Sequence, residues 1–555
     1  MNQRKRKRGA APVEPDVVSR SPHPAAVGLA ALALAFAVYA PALSAPFFSD
    51  DLHYVEANAY IQTLSLENAV AVWSPFSPVV GIIENYAPVQ LTLHAVAWQF
   101  FGAEVEGHHI VNVLLHALVG VLLVGFFRRM GIATGIALAL GAVFLVHPVN
   151  VEAVAWISQL KTTSAMALML IALALQPRRS LAALGCFSLA LLAKPTAAVA
   201  LPVAFLLQVQ RLRASQPGDG AVEWFADRNL RWLVSWAGVF VVFAVVEFSA
   251  FFETAGSTQP VYSELDVRLR TIFAVALRYL AMSLTGTGLA VFHDPPGVIS
   301  WLDPWFIGGV GWVGFVVWRC AVSWKARTLE IACWAFTVVS FVPISGGIPL
   351  PHAIADRYLY FMLPGLLGAL GLAASAHWAD RVPKAVAIAS AIAILVLGVL
   401  ANRQTTLWQS AEKLLSHSEA RYPDGKVAVL RGARRSALSG DVDGCVASLR
   451  KVMARGYDRL DTLVSDPAYR ALRGRPEFDA IIDELALRLI VRGDPDRDPS
   501  QADLRVRGQA QFVMGDVVAA RHSLELAIEA GGPYTEQIEA ELEQLNRCKR
   551  VPGSR

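Results

Sequence analysis

Charge is scarce in this chain. Asp, Glu, Lys and Arg make up 17% of its residues, where a soluble domain carries about 25%. Hydrophobic residues reach 55%, and the mean hydropathy is +0.44. That balance excludes a wholly soluble globule. The formal net charge is only +4, and no basic stretch is interleaved with aromatics, so no nucleic-acid partner is expected. Cysteine is sparse as well. The five present, Cys186, Cys320, Cys333, Cys445 and Cys548, show no CxxC and no metal-ligand spacing. No HExxH occurs, so the helical zinc-protease motif is absent too. The first three cysteines lie in apolar segments and are expected in the core. Cys445 and Cys548 share the charged C-terminal part and could pair if it faces an oxidising space.

What the chain has instead is apolar sequence, concentrated before residue 401. The basic cluster Arg4 to Arg8 precedes an apolar run from about Ala25. That run exceeds the about 7–15 residues of a signal-peptide core, so an uncleaved first span is expected. Apolar lengths of about 20 residues, oriented by Lys and Arg, predict about eleven spans. They cover 25–46, 108–127, 132–147, a fourth from Lys161 to Arg178, two hinged at Lys194-Pro195-Thr196, then 230–252, 304–318, 329–345, 358–376 and 385–400. The stretch 87–102 is short and is expected on the interface or packed against the bundle. The stretch 268–292 is read as re-entrant or lying along the interface, because a full crossing would put Arg319, Lys325 and Arg327 outside. The expected organisation is a cytoplasmic tail (1–24), an all-α polytopic bundle (25–400) and an extracytoplasmic helical domain (401–555).

In that last domain, residues 501–534 fit one tetratricopeptide repeat of about 34 residues. Gly508, Ala520 and Ala527 let two helices approach, Leu504 and Leu524 fill the seam, and Pro533 ends the second helix. Met514-Gly515-Asp516 supplies the turn and the next helix cap. A degenerate copy turns at Ser439-Gly440-Asp441. Between them, Asp466 to Arg473 and Pro476 to Phe478 read as a helical linker. Stacked hairpins commonly bind peptide, or they simply brace the membrane part.

Ten polar residues from five loops map to one outer face: Asp50, Asp51, His53, Glu84, His147, Glu152, Lys161, Lys194, Asp356 and Arg357. Taken alone, Asp50-Asp51 reads either as catalytic carboxylates or as a solvated helix end. His147 before Pro148 reads as a helix-end residue or a site residue. Lys161, Lys194 and Arg357 stand where the positive-inside trend disfavours them. A phosphate group would explain cations there; pairing with Glu152, Asp356 or a lipid headgroup is the alternative. Tyr358 after Arg357 fits an interface belt or a sugar platform.

Six motifs occur in a fixed order: Phe47-Phe-Ser-Asp-Asp51, Tyr86-Ala-Pro-Val-Gln-Leu91, His109-Ile-Val-Asn-Val-Leu-Leu-His-Ala117, His147-Pro-Val-Asn-Val-Glu-Ala-Val-Ala-Trp-Ile157, Lys194-Pro-Thr196 and Asp356-Arg-Tyr-Leu-Tyr360. Together they resemble the GT-C glycosyltransferases of the transmembrane-and-tetratricopeptide-repeat O-mannosyltransferase type and their bacterial relatives. The resemblance covers about residues 30–400, and the trailing repeats fit it. Two positions depart from the pattern: Gln159 precedes Leu160-Lys161 where an arginine often precedes the lysine, and Asp356 stands in place of Glu.

The resemblance implies a polyprenyl-phosphate-linked sugar donor, mannose as first guess, with inverting transfer to an acceptor hydroxyl. One carboxylate of the Asp50/Asp51 pair would take the acceptor proton. Lys161, Lys194 and Arg357 would stabilise the leaving phosphate. Glu84, His147, Glu152, Asp356 and Tyr358 are further site candidates. No metal is required, although the adjacent carboxylates could hold Mg or Mn. The implied partners are the lipid-linked donor, the bilayer, and a protein or peptide acceptor held by the repeats. The implied location is the plasma membrane, the inner one in a bacterium. An envelope glycan or lipid acceptor, a transporter, and a peptide-binding scaffold are the competing functions.

Overall fold

A computed structural model gives the structure of the chain; it describes residues 23–83, 85–176, 178–215, 227–254, 264–347, 354–378, 382–491, 499–531 and 534–548. The Arg4 to Arg8 tail, Glu84, much of the loop before Asp356 and Pro533 lie outside those residues, as does the side chain of Cys548 and with it any pairing to Cys445. Among the described residues all regular structure is helical. Lipid offers no partner to a backbone N–H or C=O, so an apolar run must satisfy its own, and a helix does.

Among the described residues, eight helical segments are long and apolar enough to cross a membrane: Pro24–Ala42, Val105–Arg129, Ile157–Leu175, Pro195–Ser215, Arg228–Ala250, Pro304–Lys325, Asp356–Trp378 and Lys384–Gln409. The pair Thr134–Val146 and Pro148–Ala155, bent by 51°, would be a ninth if counted as one span. The shorter apolar helices Ser180–Ala193 and Glu330–Ile344 accompany them. Each of the eleven segments expected from the sequence therefore forms a helix, but fewer than eleven reach a full span length. Proline begins several of them, where a missing N–H costs nothing. Pro304 follows Asp303, whose side chain accepts from Trp305 N at 2.8 Å.

The segment expected as re-entrant or interfacial is one unbroken helix, Leu265–Thr285. It carries Asp266, Arg268, Arg270 and Arg278 and is not among the candidate spans. Its first turn reaches the end of the Glu330–Ile344 segment, where Arg268 donates to the carbonyls of Gly346 and Gly347. Its last turn reaches the loop at Pro148, where Ser283 O lies 3.0 Å from His147 Nε2. Both contacts are at the same end of the bundle, so the helix lies across that end and the re-entrant alternative falls. It crosses Pro304–Lys325 very closely. A Cβ on Gly309 would stand 2.1 Å from the carbonyl oxygen of Phe273, so only glycine fits there.

At the opposite end the basic residues gather. Arg213 Nη1 donates to Trp324 O at 2.8 Å, and Arg327 Nη1 donates to Arg213 O at 3.0 Å. Arg319 pairs with Glu330 at 2.7 Å.

One apolar core fills the bundle, with Tyr39, Phe127, Phe144, Phe187, Phe336 and Tyr360 fully buried. The C-terminal helices have cores of their own, around Leu449, Phe478 and Ile481 and around Leu504, Leu524 and Ile538. Gln501–Val513 and Val517–Ala530 form a hairpin whose turn has Gly515 at φ +81°. Asp516 caps the second helix through Ala519 N at 2.9 Å. Lys426–Ser439 and Val442–Met453 repeat the design, with Gly440 at φ +75° and Asp441 capping Gly444 N at 2.9 Å. This domain sits on the same end of the bundle as the Leu265–Thr285 helix. Phe292 N donates to Ser418 Oγ at 3.3 Å, and Lys426 N to Asp294 Oδ2 at 2.6 Å.

Candidate functional site

Asp50 and Asp51 follow Ser49, which holds φ +53°. A non-glycine residue seldom adopts that conformation, and it persists where surrounding contacts enforce it. The turn sends the two carboxylates in different directions. Asp51 is 2% exposed. Its Oδ1 accepts from Ser158 N at 2.7 Å and from the Ser158 hydroxyl, and its Oδ2 accepts from Phe48 N at 3.1 Å. Burial nevertheless pushes its carboxyl up to about 7, against the pull of these donors. Asp50 is half-buried, and among the described residues its one hydrogen bond is from Ser49 Oγ, at 3.3 Å.

Three basic residues from separate segments gather near it, two of them within electrostatic reach of Asp50. Lys161 sits in the first turn of Leu160–Leu175, with its Nζ 5.1 Å from the centre of the Tyr54 ring. Tyr54 is in turn held by its hydroxyl to Ile83 O at 2.9 Å. Lys194 stands at the break between two helices, and its Nζ donates to Thr162 Oγ1 at 2.7 Å. Thr162 donates to Gln159 Oε1 at 2.7 Å. The glutamine at the atypical position thus holds the threonine that positions Lys194. Arg357 N donates to Glu152 Oε2 at 2.8 Å, and its Nη1 pairs with Glu152 Oε1. Its guanidinium lies 5.2 Å from the Trp156 ring and 5.1 Å from the Tyr358 ring. Asp50 is within electrostatic reach of Lys161 and Arg357, and Lys194 is within reach of both. Glu152 has its direct ion pair with Arg357, and among the described residues no carboxylate is in direct contact with Lys161 or Lys194, which leaves both ammonium groups able to bind a phosphate.

Asp356 turns away from this centre. Its Oδ1 lies 2.7 Å from His293 Nε2, and His293 Nδ1 lies 2.8 Å from Tyr422 OH. Asp356 and His293 are both buried, with side chains 3% and 1% exposed, so the C-terminal domain is tied to the residue preceding Arg357. His147 is placed as a structural residue. It bridges to Ser283 O, and its Nδ1 accepts from Val149 N at 3.3 Å, capping a short helical turn. His53 is exposed.

Three residues outside the sequence-based set belong here. Glu247, within the Arg228–Thr254 helix, accepts from Tyr86 N at 3.0 Å and lies within electrostatic reach of Lys161. An acid in an apolar run is itself a signal. His94 is 1% exposed with neither ring nitrogen partnered. Burial, then His108 and Lys161, push its imidazole down to about 3, so it is neutral. Ser158 carries no motif of its own and is visible only through its bonds to Asp51.

Among the described residues, no group of three or more His, Cys, Asp or Glu is arranged to hold a metal. The Asp50/Asp51 pair is not presented as a chelate, since the oxygens of Asp51 accept from Ser158 and Phe48.

No family model matches the chain, and no curated protein is similar to it in sequence. Among solved structures it is similar to the crystal structure of ArnT from Cupriavidus metallidurans bound to undecaprenyl phosphate. That likeness has 14% identity over 85% of this chain and 81% of the other, with a TM-score of 0.35, a level that carries no weight for the activity.

Proposed function

We propose that the chain is a membrane glycosyltransferase of the GT-C type that moves a sugar from a polyprenyl-phosphate carrier to an acceptor hydroxyl. The observation that carries the reading is the convergence of Lys161, Lys194 and Arg357 beside a half-exposed Asp50, at the membrane end covered by the C-terminal domain. The order of the six sequence motifs supports it independently.

In this reading the donor phosphate lies among the three cations. Asp50 takes the proton of the acceptor hydroxyl as its oxygen attacks the anomeric carbon. The bond from that carbon to the phosphate oxygen breaks, and its electron pair leaves with the phosphate. Lys161, Lys194 and Arg357 stabilise the charge that develops there. Attack opposite the leaving group inverts the anomeric centre. Asp51 fixes the loop that aims Asp50, and Glu152 fixes Arg357.

Mannose is the proposed sugar and a protein the proposed acceptor. A groove of about 720 Å³ between the C-terminal helices and Gly81 of the first loop suits an extended peptide; Arg459, Arg505, Tyr534 and Glu541 line it. An envelope glycan or lipid is the alternative acceptor. The test is transfer of label from polyprenyl-phosphate sugars by the purified chain in liposomes. Transfer or donor hydrolysis with one such sugar supports the reading; neither, with a panel of sugars and acceptors, overturns it.

A further inference from the structure

Three helices that pack close to the site also shape a second polar feature at their far ends. Val105–Arg129, Leu160–Leu175 and Ala200–Ser215 each begin near the site and run away from it. Arg129 is 17 residues beyond Asn112, whose side chain donates to Trp156 O, or about 26 Å along a helix at about 1.5 Å per residue. There the segments enclose a cleft of about 400 Å³. Its floor is apolar, including Leu122, Leu173 and Leu207, and its rim holds Arg129, Arg178 and Arg211.

Arg129 Nη1 donates to Ala174 O at 2.6 Å. Arg129 and Arg211 are within electrostatic reach of each other. Among the described residues none of the three arginines forms a salt bridge. The carboxylate bonded to the cleft wall, Asp227, accepts from Gln208 Nε2 at 3.2 Å and from Leu230 N at 2.9 Å. Three guanidinium groups around one opening repel one another unless an anion sits between them. Guanidinium binds phosphate through paired N–H donors, and basic pockets between membrane helices take lipid headgroups. The apolar floor suits an acyl chain and has nothing to offer a free ion.

We propose that this cleft binds the phosphate headgroup of an anionic membrane lipid, with an acyl chain along the leucine floor, as a site separate from the Asp50 centre. It does not rest on the transferase reading.

The test uses the full-length protein in detergent and measures its melting temperature on titration with phosphatidylglycerol, phosphatidylcholine or inorganic phosphate. Two variants are compared. One is Arg129→Gln with Arg211→Gln. The other is Gly125→Leu, which fills the cleft from a lining position where an added Cβ meets nothing within 4 Å. Stabilisation by phosphatidylglycerol over phosphatidylcholine, with the half-saturating concentration raised about tenfold or more in each variant that folds, supports the site. Equal response to both lipids, an unchanged titration in a folded variant, or the same stabilisation from inorganic phosphate alone would overturn it. If one variant fails to fold, the other decides.

Discussion

The backbone N–H of Ser158 donates to the Oδ1 of Asp51 at 2.7 Å, joining two loops that are 107 positions apart in sequence. With the Ser158 hydroxyl and Phe48 N on the same carboxylate, Asp51 holds the loop while its neighbour Asp50 stays available. Asp51→Ala strands buried donors, at about 1–3 kcal/mol for each, and should lower the melting temperature clearly. Asp51→Asn keeps an acceptor for Ser158 and should cost less. Equal, negligible shifts for both would show that the contact holds nothing.

The same carboxylate gives stability a pH dependence of defined sign. Folding raises its pKa from the ordinary aspartate value of 3.8 to about 7, so the folded chain binds this proton more tightly than the unfolded one. The stabilisation is complete below about pH 4 and is lost as pH rises through about 7. Melting temperatures taken between pH 5 and 8 should therefore fall more steeply for the wild type than for Asp51→Asn. Parallel profiles would count against it.

The link from Tyr422 through His293 to Asp356 couples the C-terminal domain to the residue before Arg357. His293→Ala removes the side-chain partner of a buried carboxylate and leaves it the backbone bond from Ala290, a change of up to about 3–5 kcal/mol where a buried pair is broken. It should lower the melting temperature and cut transfer at least about tenfold. Tyr422→Phe keeps the His293–Asp356 contact and should cost much less. Wild-type transfer in a folded His293→Ala protein would mean that the domain is not coupled to the site.

Arg357→Lys tests the cationic centre. Lysine keeps the charge but loses the planar fork that meets Glu152 and stacks between Trp156 and Tyr358. Turnover should fall by about 10²-fold, the scale for losing one donor to developing charge, in a protein that still folds. A turnover within about threefold of wild type would remove Arg357 from the phosphate-stabilising set.

The helices were legible because an apolar run in lipid has few other choices. Lys161, Lys194 and Arg357 stood out as charges against the topological trend. The division of labour between Asp50 and Asp51 was not legible, since it depends on the Ser49 turn and on a serine from another loop. Glu247 is a single acid in a long apolar helix and matches no motif. His293 meets Asp356 across 63 positions and Tyr422 across 129, contacts that no local pattern encodes. His147 before Pro148 reads in the sequence as a helix-end residue or a site residue, and its bonds are those of a cap.

The decisive measurement is transfer from the lipid-linked donor by Asp50→Asn and Asp51→Asn, with donor binding measured in parallel. If Asp50 is the base, Asp50→Asn loses about 10²–10⁴-fold in turnover while binding the donor normally, and Asp51→Asn loses less. Wild-type turnover in a folded Asp50→Asn protein would contradict the assignment.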